Sequence, residues 1–203
     1  LLLVGAGCDI FGGDPDWYPT SVGSSWRYES TTTFETDADT LMTQVTNLRV
    51  TGTAELAAGG NAAVFVATDS VRQRLPWDTL LVTHDTSWVL KTADWVLDFE
   101  GPNDDAPDTM LALPLEQAKT WQVFATADTT VWATVVGRQD VAVPAGSFKD
   151  CWEVEYEYTA GAESFKMSYW YADGTGWVRG WSQVSAGGYT ATSERLLTNS
   201  DVK

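Results

Sequence analysis

Apolar and polar residues alternate with a period of two along most of the chain, which is the pattern of a β-strand with one buried face. The clearest example is Cys151–Tyr158, where aromatic and aliphatic residues alternate with three glutamates. A turn containing Gly161 follows, and Phe165–Tyr171 then repeats the alternation. These two segments are predicted to form a hairpin whose apolar face is buried and whose glutamate face meets solvent.

The same pattern over the whole chain predicts an all-β fold. We expect about ten to twelve antiparallel strands in a strongly curved sheet, forming either a half-barrel or a two-layer sandwich. Very little helix is expected, with a short helical turn only at Thr36–Thr43 and Leu115–Lys119. The predicted strands are Ser25–Phe34, Met42–Leu56, Ala62–Thr68, Leu80–Thr83, Ser87–Lys91, Trp95–Phe99, Thr120–Thr126, Thr130–Val136, Asp140–Val143, Cys151–Tyr158, Phe165–Tyr171, Trp177–Ser185 and Tyr189–Leu197.

The amino terminus carries a candidate lipidation site at Cys8. An apolar run beginning at Leu1 ends in Ala6 and Gly7, directly before the cysteine. Small residues before a cysteine resemble the lipobox of bacterial lipoproteins, although Gly5 stands where that motif usually has a leucine. The resemblance implies that residues 1–7 end a signal peptide and that Cys8 carries the lipid at the start of a tether, residues 8–19. A buried cysteine on an apolar amino-terminal strand is the alternative.

Residues 20–203 are predicted to form a single β domain that contains an internal repeat. Pro19–Trp26 resembles Pro114–Trp121, since both segments place a proline seven residues before a tryptophan and both precede a Thr-rich strand. The repeat favours two related half-sheets, 20–100 and 110–203, joined by the acidic loop Glu100–Thr109. Chance similarity between two short windows is the alternative.

Several motifs together resemble small bacterial lipoproteins of unassigned function. They are Tyr18-Pro19 followed by Gly23-x-x-Trp26, the element Val143–Phe148 with sequence VPAGSF, and the closing pattern Tyr169–Val178. Ala118 replaces the glycine that is usual in the second Pro…Trp element, which suggests a differently built turn there. The resemblance implies an exported β-rich domain similar to the curved half-barrel of lipoprotein carriers. It implies no catalytic residue.

Composition narrows the function. The chain has 203 residues and a formal net charge of −16, so it should repel phosphate backbones, and no nucleic-acid partner is expected. One histidine, two cysteines and no nucleotide, zinc or nucleophile motif make an enzyme unexpected, and no cofactor is predicted. Cys151 is either a free thiol or the disulfide partner of Cys8. Neighbouring carboxylates should raise the pKa of the Cys151 thiol, so it is not expected to be a nucleophile.

Two groups of side chains are candidates for binding. The acidic loop offers Asp98, Asp104, Asp105 and Asp108 as weak calcium candidates, although their spacing is not that of an EF-hand and a solvated acidic loop is the alternative. The chain is also rich in tryptophan, with 11 residues of this type, and a large aromatic core is the simplest explanation. Ligand-binding candidates among them are Trp77, Trp170, Trp177 and Trp181.

Three functions are compatible with these observations. The leading hypothesis is a lipid-anchored, non-enzymatic cell-envelope protein that binds a partner or an apolar ligand on its curved sheet. The first alternative is a carbohydrate-binding module that uses exposed tryptophan and tyrosine, and the second is a carboxylate-based hydrolase. We expect an exported protein, anchored on the periplasmic or extracellular side. Its expected partners are the membrane through the lipid, and a small apolar ligand, a sugar or an envelope protein.

Lipidation at Cys8 has a direct test. Expression of the complete precursor in bacteria should give an intact mass with a diacylglyceryl-sized addition, and the addition should disappear in Cys8→Ala. A mature chain that begins upstream of Cys8 and carries an unmodified thiol would contradict the prediction.

Overall fold

The structure, a computed structural model, describes residues 15–35, 37–74, 79–160 and 163–203. Within these ranges the chain forms one sheet of twelve strands and no helix, so no helix there could span a membrane. The predicted all-β class with a strongly curved antiparallel sheet is confirmed. The strands are β1 (Ser25–Phe34), β2 (Asp37–Glu55), β3 (Asn61–Arg74), β4 (Thr79–Lys91), β5 (Trp95–Phe99), β6 (Asp108–Ala112), β7 (Thr120–Ala125), β8 (Thr130–Val143), β9 (Gly146–Ala160), β10 (Glu163–Ala172), β11 (Gly176–Ala186) and β12 (Tyr189–Asp201).

Consecutive strands pair antiparallel except for β6 and β7, and β1 also pairs with β12. The sheet is therefore nearly closed, and its two edge strands are β6 and β7. We call the boundary between β6 and β7 the seam, and two side-chain hydrogen bonds cross it in place of a ladder of backbone hydrogen bonds. The indole nitrogen of Trp121 donates to the Thr109 carbonyl at 2.9 Å, and the Tyr156 hydroxyl donates to the Met110 carbonyl at 2.7 Å.

The structure differs from the predicted strands in three places. β6 was not predicted, because its five residues directly follow the acidic loop and show no alternation. Two pairs of predicted segments merge into the continuous strands β4 and β8. The helical turn predicted at Thr36–Thr43 is wrong, since β2 begins at Asp37. The segment Leu115–Lys119 forms a turn closed by the Lys119 amide and the Glu116 carbonyl.

The sheet has two ends, which we call the base and the distal end. The base is the end with the turns β2–β3, β4–β5 and β10–β11, and the distal end is the end at which β1, β3, β9 and β11 finish. The amino-terminal part of the described chain is held at the base. The Asp16 carbonyl accepts from the Gly174 amide, and the Asp16 carboxylate pairs with the Lys91 ammonium.

The predicted faces of β9 are confirmed. Trp152, Val154 and Tyr156 are 7%, 0% and 3% exposed and belong to the main core. On the other face, the Glu155 carboxylate lies 2.7 Å from the Lys166 ammonium. The period-two pattern therefore placed both the apolar and the glutamate face correctly.

The two Pro…Trp segments have similar local structures. Trp26 and Trp121 are both buried, and each indole nitrogen donates to a distant backbone carbonyl. Gly23 and Ala118 stand four residues after the respective prolines, with φ of 94° and 64°. The second turn is built differently at its start, because the Leu113–Pro114 peptide bond is cis and the bond before Pro19 is not, while Ala118 adopts the left-handed conformation without a glycine. Whether the two half-sheets are related stays a prediction.

The VPAGSF element forms the hairpin between β8 and β9. The hairpin crosses the neighbouring strands, since the Ala145 amide donates to the Leu197 carbonyl of β12 at 3.1 Å. Gly146 has a φ of 144°, which side chains rarely adopt, as its position after Pro144 suggested. Phe148 is half-buried and packs against the main core.

Replacement of Gly146 tests this bend. A Cβ at Gly146 would meet no atom within 4 Å, so the cost of Gly146→Val comes from the backbone conformation alone. We expect the free energy of unfolding to fall by at least about 1 kcal/mol in urea. Gly137→Val is the matched control, because Gly137 also has open space and no positive φ, and its unfolding free energy should change by less than about 0.5 kcal/mol. Equal effects would contradict the strained bend.

Candidate functional site

The concave side of the sheet is filled by aromatic rings at the base. Tyr28 and Trp177 stack with ring centroids 3.6 Å apart and planes at 6°, and the centroids of Trp26 and Phe65 lie 6.0 Å apart. These rings exclude solvent from the base and leave the distal half of the concave side to other residues. We call the set the aromatic layer: Trp26, Tyr28, Phe65, Tyr156, Tyr171 and Trp177.

The polar atoms of this layer are satisfied internally. The Tyr28 hydroxyl donates to the Trp177 carbonyl at 3.0 Å, and the Tyr156 and Tyr171 hydroxyls lie 3.2 Å apart. Burial raises the pKa of Tyr28 and of Tyr171 well above the ordinary phenol value. These hydroxyls stay protonated at physiological pH, so they act as hydrogen-bond donors and not as bases.

A row of polar side chains crosses the concave side directly above the aromatic layer. We call it the polar belt: Ser30, Gln44, Thr46, Asp69 and Arg195. The Gln44 amide donates to the Asp69 carboxylate at 2.7 Å, and the Thr46 hydroxyl donates to the same oxygen. The Arg195 guanidinium donates to the Gln44 side-chain oxygen at 3.4 Å. Ser30 pairs with both Gln44 and Arg195, and its small side chain lets them meet across β1.

Arg195 is the cation of the belt, and it has spare donor capacity. Within the described ranges, no carboxylate lies within ion-pairing distance of the Arg195 guanidinium. Its one side-chain hydrogen bond in these ranges is the 3.4 Å bond to Gln44. A guanidinium carries five N–H donors. The guanidinium carbon is 5.9 Å from the centroid of Trp177. The Tyr169 ring covers Gly180, where a Cβ would lie 2.9 Å from a ring atom, so glycine is needed for that ring to lie beside Arg195.

Beyond the belt, the concave side is partly exposed and has two kinds of surface. Met167, Ser182 and Ser193 border a cavity of about 100 Å³ beside Arg195. Further toward the distal end, Tyr158 and Phe165 stack with centroids 5.6 Å apart. The half-buried apolar side chains of β9 and β10 therefore face hydroxyl groups of β11 and β12.

The structure does not bring the predicted tryptophan candidates together. Trp177 is on the concave side, whereas the alternation of the strands places Trp170 and Trp181 on the convex side. Trp181 nevertheless borders the cavity beside Arg195. Trp170 is only 6% exposed, and the Arg179 guanidinium covers its ring at 4.7 Å. Trp77 lies outside the described residues. A ligand-binding role for these four residues stays a prediction.

Three of the four predicted calcium candidates, Asp98, Asp104 and Asp108, line a notch where β4 separates from β5, and Asp105 does not. We call it the acidic notch, a cavity of about 680 Å³. Asp104 stabilises the acidic loop, because its carboxylate accepts hydrogen bonds from the backbone amides of Glu100 and Ala106. Asp105 is exposed. Among the described residues, no three Asp, Glu, His or Cys side chains are placed to hold a metal. The carboxylates of the notch are Asp85, Asp98, Glu100, Asp104 and Asp108.

Asp98 is the most perturbed carboxylate of the notch. Burial, followed by the charges of Asp108 and Asp85, raises its pKa to about 6, against the opposing effect of a hydrogen bond from Ser87. One of its carboxylate oxygens is buried without a hydrogen-bond partner. The charged form is therefore destabilised in the folded protein.

Cys151 is a buried thiol. Burial, and secondarily the charge of Asp140, raises its pKa to about 11, so it is a thiol and not a thiolate at neutral pH. It is free among the described residues, which do not include Cys8.

Sequence reasoning missed the polar belt. One signal was present in β12, where Arg195 occupies the same alternation phase as the buried Leu197. A cationic residue at a position where the alternation predicts a buried apolar residue is a candidate functional residue. The sequence around Gln44 and Asp69 gives no comparable indication, because these residues come near Arg195 only through the pairing of β12, β1, β2 and β3.

The perturbed Asp98 predicts a pH dependence of stability. Its pKa is about 6 in the folded protein and near 3.8 in the unfolded chain, so the folded state binds the extra proton between these values. Stability should therefore fall as the pH rises from about 4 to about 6. Asp98→Asn should raise the free energy of unfolding at pH 7.5 by about 1–3 kcal/mol and leave it nearly unchanged at pH 3.5.

Urea unfolding across this pH range measures the effect. Asp105→Asn, in the same loop but exposed, is the control and should change little at any pH. A gain from Asp98→Asn that is the same at pH 3.5 and 7.5, or no gain at all, would contradict the burial of a charged carboxylate.

No protein-family model and no curated protein match the chain. Solved structures do resemble it. A "putative exported protein with YmcC-like fold" from Bacteroides fragilis matches with 17% identity and a TM-score of 0.52, over 91% of this chain and 98% of that one. A "putative lipoprotein" from Parabacteroides distasonis matches over the same shares with 12% identity and a TM-score of 0.44. The chain shares the fold of the B. fragilis protein.

Proposed function

We propose that this protein is an exported, membrane-anchored binding protein that holds an apolar ligand with one anionic group on its concave side. The observation that carries the proposal is Arg195, a cation without a carboxylate partner among the described residues. It is retained on the concave side of a chain whose net charge is −16. Arg195 is partly buried, and a partly desolvated cation is stabilised by an anionic partner.

The surroundings of Arg195 favour an amphiphile over a small inorganic anion. Met167 and Tyr169 border the same cavity as the guanidinium, and the stacked rings of Tyr158 and Phe165 extend the apolar surface toward the distal end. Apolar walls with a few placed polar groups are the usual composition of a ligand site. An aliphatic chain would lie along β9 and β10, with its anionic group at Arg195.

The aromatic layer limits how deep the ligand reaches. Trp177 and Tyr28 are in ring contact below the guanidinium, so a ligand enters from the distal end and stops at the polar belt. Gln44 and Asp69 form the other side of the belt. The Asp69 carboxylate accepts from the Gln44 amide and the Thr46 hydroxyl, which partly offset its charge.

The anchoring part of the proposal follows from the amino terminus. Asp16 is held at the base, so a lipidated Cys8 would connect to the base through a tether of at most about 29 Å. The distal end would then face away from the membrane. The fold shared with a protein described as exported supports this location.

A fluorescent fatty acid tests the proposal. The full chain should bind 11-(dansylamino)undecanoic acid with a Kd in the range of about 1–100 µM, read from the rise in dansyl fluorescence. Arg195→Gln should weaken binding at least about fivefold, because it removes a charge-assisted hydrogen bond. Arg179→Gln is the matched control: it removes an arginine from the convex side and should leave binding unchanged.

A second probe distinguishes the contribution of the ligand's carboxylate to binding from that of its apolar contacts. The matching dansyl amide without the carboxylate should bind the unaltered chain and Arg195→Gln equally. Two results would contradict the proposed ligand class. The first is that Arg195→Gln binds the acid as tightly as Arg179→Gln and the unaltered chain do. The second is that the chain binds no acid even at a ligand concentration of about 1 mM.

A further inference from the structure

Half of β4 is an open edge of the sheet. β3 pairs with the strand along Gln73 to Ala63, whereas β5 pairs only with Trp88–Lys91. Within the described ranges no strand lies beside Leu80–Ser87 on the β5 side. An open edge presents a row of backbone donors and acceptors that another strand can use.

The direction of these backbone groups follows from one hydrogen bond. The Thr86 amide donates to the Asp85 carboxylate at 2.8 Å, so the backbone groups of Thr86 do not point to β3. In an antiparallel strand the N–H and C=O of a residue point to one side, and the side alternates along the chain. The backbone groups of His84, Val82 and Leu80 therefore also point to the open side.

The open edge is apolar at its distal end. Leu80, Leu81 and Val82 are 67%, 57% and 50% exposed. Proteins usually protect such edges with lysine, proline or a bulge, and a bare apolar edge marks a pairing site. Along β4 this edge leads from the apolar residues directly to Asp85, which borders the acidic notch.

We propose that this edge binds an extended, basic segment of a partner protein, which adds a strand to β4. The apolar side chains of the segment would contact Leu80–Val82, and a lysine or arginine would enter the acidic notch. Charge complementarity selects this occupant: five carboxylates line the notch. A second copy of the chain is disfavoured, because it would bring another net charge of −16 and another acidic notch to the interface.

A defined peptide serves as the probe. We use a dye-labelled octapeptide, Lys-Val-Thr-Val-Lys-Val-Thr-Lys, and measure its fluorescence anisotropy with the full chain. The peptide should bind with a Kd of about 1–100 µM and bind more weakly as salt is raised. Two control peptides should bind at least about tenfold more weakly: one with glutamate in place of lysine, and one N-methylated on every valine and threonine, which removes strand hydrogen bonds.

Variants of the chain locate the site. Val82→Pro removes an outward N–H that the sheet does not use, so the protein should fold normally and bind the peptide at least about tenfold more weakly. Val82→Ala keeps the N–H and should bind within about threefold of the unaltered chain. The double variant Asp98→Asn/Asp108→Asn should weaken binding at least about fivefold, whereas Asp94→Asn/Asp128→Asn, which removes two exposed carboxylates elsewhere, should not.

Three results would overturn the proposal. The first is equal binding of the lysine and glutamate peptides, or of the N-methylated peptide. The second is unchanged binding by a folded Val82→Pro, with folding checked by circular dichroism. The third is a dimer in sedimentation equilibrium that Val82→Pro dissociates, since the occupant would then be a second copy. If Val82→Pro fails to fold, the N-methylated peptide decides alone.

Discussion

The packing of six aromatic rings inside the base of the sheet is the interaction on which the rest of the structure depends. A sheet that closes on itself has to fill its concave side, and each ring can bury about 150–250 Å². The rings also close the seam, because Tyr156 belongs to the layer and donates to the Met110 carbonyl of β6. Without a backbone ladder between β6 and β7, this bond and that of Trp121 are what join the two edges.

The site arises where the aromatic layer ends. Above it the side chains of the polar belt bond to one another. Small residues make this possible: Ser30 lets Gln44 and Arg195 meet, and Gly180 makes room for Tyr169. In the part of the chain that the structure describes, β5 pairs with only Trp88–Lys91 of β4. The proposed ligand site and the proposed docking edge thus both lie toward the distal end of the sheet.

Much of the fold could be predicted from the sequence, because burial of one strand face leaves a period-two pattern, as in Cys151–Tyr158. Where both faces of a strand are exposed, as at the distal end of β4, the pattern disappears and the strand was predicted in two pieces. The belt could not be predicted, because it depends on the register of four strands. Trp170 was predicted as a ligand-binding candidate, and its burial under Arg179 could not be predicted from the sequence.

Hydrogen exchange measured by NMR tests the central claim, that stability is concentrated at the aromatic layer while the distal half is open. In β1, the amides of Trp26–Ser30 should exchange only through global unfolding, and those of Thr32–Phe34 should exchange at least about tenfold faster through local opening. The difference should shrink when a concave-side ligand is bound. Equal protection along β1, with the same dependence on denaturant, would contradict the account.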